Sequence, residues 1–168
     1  MSRCDMADAE DKFVGAEGAL FGAKGVASEI ISFMRADTNR RYKVLIGTDS
    51  ELYERTKADF VTAVVVHRVG NGGRYFWRRV ELDNFHTLRD RITREVTLSL
   101  DIAKDILNYL RELDAPSFDF EIHVDVGENG KTKVMIQELL GMIRANNFEA
   151  RTKPESYAAS SVADRHIG

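Results

Sequence analysis

The sequence predicts a mixed α/β protein with a five-stranded sheet and the element order β-β-β-α-β-α-β-α, preceded by one helix. Three strand-like segments follow one another with short links over residues 42–82. A long apolar stripe at helical spacing covers residues 86–113, and strict two-residue alternation follows over residues 118–126. Three antiparallel strands followed by βαβ units give a mixed sheet with helices against its faces.

The size and composition indicate one globular domain. The chain has 168 residues, of which 43% are apolar, and this length is enough for a sizeable core. The sequence shows no apolar run long enough for a membrane span, no basic and apolar leader, and a single cysteine, Cys4. We therefore expect a cytoplasmic protein with no membrane partner, a flexible segment at residues 1–22 and one domain at residues 23–168.

The net charge of −3 is unevenly distributed along the chain. Residues 1–37 hold four basic and seven acidic side chains, whereas the remaining 131 residues hold twenty of each. The body of the protein is therefore neutral and lacks the basic surplus typical of nucleic-acid-binding domains. Nucleic-acid binding stays open because a bound metal ion would bring its own positive charge.

The first half of the chain predicts a helix and then a meander of three strands. Apolar residues recur at helical spacing over residues 26–34, and "YKVLIGTDS" at 42–50 is typical of a buried strand. A second strand at 59–69 is rich in β-branched residues, "GNGG" at 70–73 predicts a hairpin turn, and a third strand follows at 74–82.

The second half predicts three helices and two strands. A helix over 86–113 ends at "APS", and the fourth strand "FDFEIHVDV" places Asp119, Glu121, His123 and Asp125 on one face. A helix over 131–145 and a fifth strand at 148–153 come next. Pro154 opens a last helix, since proline is tolerated in a first turn.

The stretch "HVDVGENGKTK" at 123–133 superficially resembles a phosphate-binding loop. Such a loop needs a glycine five residues before its Gly-Lys-Ser/Thr, so that backbone N–H groups can wrap the phosphates. That position is occupied by Asp125, whose negative charge opposes close approach of a phosphate. The spacing therefore argues against a nucleotide cradle.

Four carboxylates stand out by their positions. Asp49 ends the first strand, Asp125 ends the fourth, and Asp164 lies on the last helix. Glu95 falls within the apolar stripe of the long helix, where a carboxylate is costly unless it is paired or bound to metal. Each acid alone also has an ordinary explanation as a turn, cap or surface residue.

Together the four acids indicate a metal site. The first and fourth strands of a mixed sheet can be neighbours, so Asp49 and Asp125 would converge, and helices on that sheet would add Glu95 and Asp164. Carboxylates so close raise one another's pKa unless a cation compensates them. Oxygen ligands favour Mg²⁺ or Mn²⁺, and two such ions about 3.5–4 Å apart suit in-line displacement at phosphorus.

The sequence resembles the YkuK-like family, uncharacterised bacterial proteins of the ribonuclease H-like superfamily. The stretches that carry the resemblance are "IGTDS" (46–50), "REVTLSLDIA" (94–103), "HVDVGENGKTK" (123–133) and "KPESYAASSVADRH" (153–166). The resemblance implies a ribonuclease H-like fold and a two-metal acidic site. By position, it implies that Asp49, Glu95, Asp125 and Asp164 are both the catalytic residues and the metal ligands.

The resulting expectation is a nuclease that depends on two Mg²⁺ or Mn²⁺ ions and acts on DNA or RNA. Contacts to the substrate are expected from Lys131, Lys153, Arg165 and His166, although surface charges exposed to water explain these residues equally well. The alternative is a nucleic-acid-binding or regulatory module that keeps the fold without turnover.

Overall fold

The computed structural model describes residues 12–125, 133–146 and 148–152. The strands are β1 (Phe13–Val14), β2 (Leu20–Phe21), β3 (Tyr42–Leu52), β4 (Ala58–Arg68), β5 (Gly73–Leu82), β6 (Asp119–Val124) and β7 (Glu149–Thr152). The helices are α1 (Ala23–Arg35), α2 (Leu88–Glu112) and α3 (Lys133–Ala145), and a short 3₁₀ turn covers Ala16–Gly18. The last predicted helix, which begins at Pro154, lies outside the described residues.

The strands form one mixed sheet in the order β2-β1-β5-β4-β3-β6-β7. β3, β4 and β5 pair antiparallel, while β3, β6 and β7 pair parallel, which confirms the predicted architecture. The five predicted strands correspond to β3–β7. The predicted count was too low by two, because β1 and β2 have only two residues each and carry no recognisable alternation.

The segment before α1 therefore contributes to the edge of the sheet. Val14 of β1 pairs with Trp77 of β5, and the Phe13 side chain is buried in the core. The predicted boundary between a flexible segment at 1–22 and a domain at 23–168 stays a prediction, since residues 1–11 lie outside the described part. In the portion that the structure describes, no helix combines the length and apolarity needed to cross a membrane.

The hairpin between β4 and β5 turns where "GNGG" predicted it. Gly70 and Gly72 have φ values of 80° and 76°, a conformation that favours glycine. The Arg68 N–H donates to the Gly72 carbonyl at 2.9 Å and closes the turn. The hairpin aligns β5 with β4 over ten residue pairs. β4 also pairs along β3, the strand that carries Asp49.

α2 begins and ends at clear local signals. The Thr87 side chain caps its first turn by accepting a hydrogen bond from the Asp90 N–H at 3.1 Å. The chain leaves the helix through Asp114, which has a φ of 57°. The 25-residue helix confirms the long helix that the apolar stripe predicted.

The core lies on one face of the sheet. Val44 and Ile46 of β3 and Ile122 and Val124 of β6 point to this face, as do Val64 and Val66 of β4. All three helices contribute buried residues to the same cluster, including Ile30, Ile106 and Leu139. This arrangement brings α2 directly over β3 and so places helix side chains beside Thr48 and Ser50.

Candidate functional site

Two of the predicted acids lie at the ends of neighbouring parallel strands. The register pairs Gly47 of β3 with His123 of β6. Asp49 lies two residues after Gly47, and Asp125 lies two residues after His123. Because the strands run parallel, both aspartates therefore lie at the same edge of the sheet. Both side chains are half-buried. The predicted convergence of the two strand ends is thus present.

Glu95 approaches this edge from α2. Its side chain is only 7% exposed and stands in the stripe of the helix that includes Ile92 and Val96. The Ser50 hydroxyl donates to Glu95 Oε1 at 2.5 Å. This bond joins the helix to the residue that follows Asp49.

The three carboxylates share one electrostatic environment. Burial raises the pKa of Glu95 to about 8, the Ser50 hydrogen bond opposes that rise, and the charges of Asp49 and Asp125 add to it. Arg91, one helical turn before Glu95, lowers the pKa to a lesser extent. Because the charges of both aspartates act on Glu95, three of the four predicted acids lie close enough to influence one another.

The pleat of β3 directs Asp49 and its two neighbours in the strand to opposite faces of the sheet. Thr48 and Ser50 both contact α2, and Asp49 lies between them in the opposite phase of the strand. In the described ranges 12–125, 133–146 and 148–152, no group of three or more His, Cys, Asp or Glu side chains is placed to hold a metal ion. The fourth predicted acid, Asp164, lies outside these ranges.

A chain of buried hydroxyl groups fixes α2 on β3 beside Glu95. Thr48 Oγ1 lies 2.8 Å from Thr62 Oγ1 of β4 and 2.8 Å from Ser99 Oγ of α2. Ser99 is one helical turn beyond Glu95, and all three hydroxyl residues are at most 4% exposed. The chain therefore sets the position of Glu95 relative to the strand that carries Asp49.

The face of the sheet opposite the core carries a buried polar group beside Asp125. His123 Nε2 lies 3.1 Å from Glu121 Oε2, and Lys43 Nζ lies 3.5 Å from Glu121 Oε1. Glu121 and His123 are 6% and 4% exposed, respectively. The alternation of β6 placed these two residues on the face of Asp125, but it gave no sign that Lys43 would join them from β3.

A second buried ion pair was not predicted from the sequence. Asp59 of β4 is 3% exposed and accepts two hydrogen bonds from Arg79 of β5, one of them from Nε at 2.9 Å. The hydrogen bonds to Asp59 raise the pKa of Arg79. The sequence carried a signal that Asp59 needs a partner, because it lies near the start of a strand rich in apolar residues, where a buried carboxylate must be compensated. It carried no signal that the partner is Arg79.

The predicted substrate contacts at Lys131, Lys153, Arg165 and His166 lie outside the described residues. They stay predictions, as does the role of Asp164.

The open mixed sheet, in which the parallel strands β3, β6 and β7 continue an antiparallel meander and helices pack on the sheet, places the chain among the α/β proteins. The family described as "Ribonuclease H-like" matches residues 25–167, and the chain belongs to this family. The chain is also 34% identical over 151 residues to "Uncharacterized protein YkuK" of Bacillus subtilis (strain 168), covering 83% of this chain and 87% of that protein. The YkuK-like resemblance found in the sequence is thereby confirmed.

Proposed function

We propose that the protein is a nuclease that hydrolyses phosphodiester bonds with the help of divalent metal ions. The observation that carries the proposal is the effect of the Asp49 and Asp125 charges on Glu95, which supports a site shared by three carboxylates from three elements. Their position at the carboxyl edge of β3 and β6 is where open α/β sheets bind ligands. Membership of the ribonuclease H-like family supports the same reading.

The donor set fits Mg²⁺ or Mn²⁺ in its chemistry. Asp49, Glu95 and Asp125 offer only carboxylate oxygens, which hard divalent cations prefer, and Asp164 would complete the set. When bound, such ions activate water as a nucleophile and stabilise the leaving oxygen of a phosphodiester. Binding would also stabilise the ionised form of Glu95, whose pKa is otherwise raised by its neighbours.

The protein side chains would prepare this site by fixing the acids. The Ser50 hydroxyl holds one oxygen of Glu95, and the chain through Thr48 and Ser99 fixes the helix that carries it. Preorganised acids need little rearrangement when substrate arrives, which is the main contribution a protein makes at such sites.

Cleavage assays with matched variants test the proposal. Labelled single-stranded, hybrid and branched nucleic acids, incubated with millimolar Mn²⁺, should be cut by the wild-type protein. Asp49→Asn and Asp125→Asn should lower the cleavage rate by roughly 100-fold or more. Asp101→Asn is the control, since Asp101 lies on the exposed side of α2. Equal rates for wild type and both site variants would refute the proposed site.

The alternative function is a nucleic-acid-binding or regulatory module without turnover. The observation that favours it is the lack of a compact metal-binding group among the residues the structure describes. Binding of the same substrates without cleavage, unchanged by Mn²⁺ or by Asp125→Asn, would support this alternative.

A further inference from the structure

A cavity of about 600 Å³ lies on the helix side of the sheet, away from the acids. The second half of α2, the start of β6 and the residues after α3 form its walls. Its lining residues are Lys104, Leu107, Asn108, Arg111, Phe118, Asp119, Phe120, Asn146 and Phe148. They combine cations, amides and aromatic rings.

The cationic side of the cavity belongs to α2. Lys104, Asn108 and Arg111 follow one another at steps of four and three, so they project from one side of the helix, and all three are exposed. Asp119 is the one acid among the lining residues that the structure describes, and it accepts hydrogen bonds from Arg41 at 3.0 and 2.8 Å. Arg41 thus compensates the charge of Asp119, and the lining keeps a positive surplus suited to an anion.

The apolar side consists of half-buried phenylalanines. The rings of Phe120 and Phe148 lie 5.5 Å apart at an angle of 46°, and Phe118 precedes β6 on the same side of the strand as Phe120. Asn146 is held next to them, because its Nδ2 donates to the Met142 carbonyl at 2.8 Å. The lining of the cavity therefore combines aromatic rings and an amide group with two cations.

This cavity is separate from the candidate metal site. Lys104 is nine positions after Glu95 in α2, about 14 Å along a helix. Asp125 is six positions after Asp119, about 20 Å along a strand. A ligand in the cavity would thus not contact the acids.

We propose that the cavity binds a nucleotide unit, with its base against the phenylalanine rings and its phosphate on Lys104 and Arg111. Stacking on aromatic rings combined with cationic contacts to phosphate is how proteins hold single-stranded nucleic acid without reading its sequence. The amides of Asn108 and Asn146 can pair with base edges. The unit can belong to a strand or to a free nucleotide, and both present the same chemistry. The site is independent of the proposed nuclease activity.

Binding measured in chelator separates this site from the metal site. A fluorescently labelled single-stranded octanucleotide is titrated with the full-length protein in EDTA and followed by anisotropy. The double variant Lys104→Ala/Arg111→Ala should weaken binding at least fivefold and lower the dependence of log K on log salt by about 1.4, as expected for two lost phosphate contacts. The control Lys24→Ala/Arg94→Ala removes two exposed helix cations outside the cavity and should stay within twofold of wild type.

A second variant tests the aromatic side. Phe148→Leu keeps an apolar side chain but removes a ring, and it should weaken binding at least fivefold if a base stacks there. Its melting temperature in the absence of nucleic acid shows whether the variant is folded. If it is unfolded, Phe118→Leu replaces it.

Competition by a nucleoside monophosphate identifies the source of the nucleotide. If the monophosphate displaces the octanucleotide from the wild type but not from Lys104→Ala/Arg111→Ala, the cavity binds free nucleotide. If the octanucleotide binds and the monophosphate does not displace it, the cavity binds a strand. The proposal is overturned if neither probe binds. It is also overturned if the cavity variant and its control weaken binding equally, or if the folded phenylalanine variant binds as wild type does.

Discussion

At the scale of the residue, Glu95 is the side chain that departs most clearly from its surroundings. It is almost fully buried among apolar neighbours and feels two further negative charges, and the Ser50 hydroxyl is its hydrogen-bond donor. Burying a carboxylate under these conditions disfavours its charged form. The sequence indicated this conflict, because Glu95 interrupts an apolar stripe. The sequence did not indicate Ser50, since nothing local shows which hydroxyl will face it.

The raised pKa of Glu95 predicts how stability depends on pH. Between its ordinary value of 4.5 and about 8, the folded state keeps a proton on Glu95 that the unfolded state has lost. The free energy of unfolding should therefore fall as pH rises through this window and stay low above it. In EDTA at pH 9, Glu95→Gln should be more stable than wild type by several kcal/mol, and the shift from 4.5 to about 8 sets an upper limit of roughly 5 kcal/mol. Near pH 4 the two proteins should be equally stable.

Urea denaturation at several pH values measures this difference. Glu112→Gln serves as the control, since Glu112 is exposed on the same helix and should leave the pH dependence unchanged. A constant difference between Glu95→Gln and wild type from pH 4 to pH 9 would contradict the expected titration.

At the scale of the element, the contact between α2 and β3 decides where the acids lie. Apolar residues bring the helix onto the sheet, but they do not select one exact position along it. The chain from Thr62 through Thr48 to Ser99 adds directional contacts in a buried setting, where hydrogen bonds have strict geometry. The helix that carries Glu95 is thereby fixed relative to the strand that carries Asp49.

Removing the central hydroxyl of this chain should loosen that contact. Thr48→Val keeps the shape of the side chain and leaves the hydroxyls of Thr62 and Ser99 without their shared partner, at an expected cost of about 1–3 kcal/mol in urea denaturation. Thr97→Val is the matched control, because the Thr97 hydroxyl bonds only within α2, to the Thr93 carbonyl at 2.9 Å, and its loss should cost less than about 1 kcal/mol. If Thr48→Val and Thr97→Val lower the free energy of unfolding equally, the chain of buried hydroxyl groups contributes nothing specific to stability.

Elements with strong periodicity could be predicted, and weakly patterned ones could not. The 25-residue α2 and the alternating β6 were read from repeating apolar positions, which follow directly from helix and strand geometry. β1 and β2 have two residues each and carry no period of their own, so β1 depends on its pairing with β5 and β2 on its pairing with β1. The pairing of Asp59 with Arg79 likewise depends on strand register, which is a tertiary property.

At the scale of the whole molecule, the topology of the sheet explains why acids far apart in sequence meet. β3 and β6 are neighbours although 66 residues separate the end of one strand from the start of the other, and α2 crosses between them. The sequence predicted this adjacency only as one possibility among several strand orders. Its family resemblance narrowed the choice, because a shared fold fixes strand order where local patterns cannot.

Divalent metal should stabilise the whole folded molecule if the carboxylates form a metal site. A ligand that binds only the folded state adds stability by mass action, about 2.7 kcal/mol at a concentration 100 times its dissociation constant. For a chain of this size, such a gain corresponds to roughly 5–10 °C in the melting temperature.

The Asp125→Asn variant should lose most of this gain in melting temperature. In EDTA at pH 9, where Glu95 is ionised, the same variant should melt at or above wild type, because the substitution relieves repulsion with Glu95. Asp101→Asn should keep the full response to Mn²⁺. If Mn²⁺ raises the melting temperature of wild type and Asp125→Asn equally, the ion binds elsewhere. If Asp125→Asn melts well below wild type in EDTA, Asp125 has a structural hydrogen-bonding role instead.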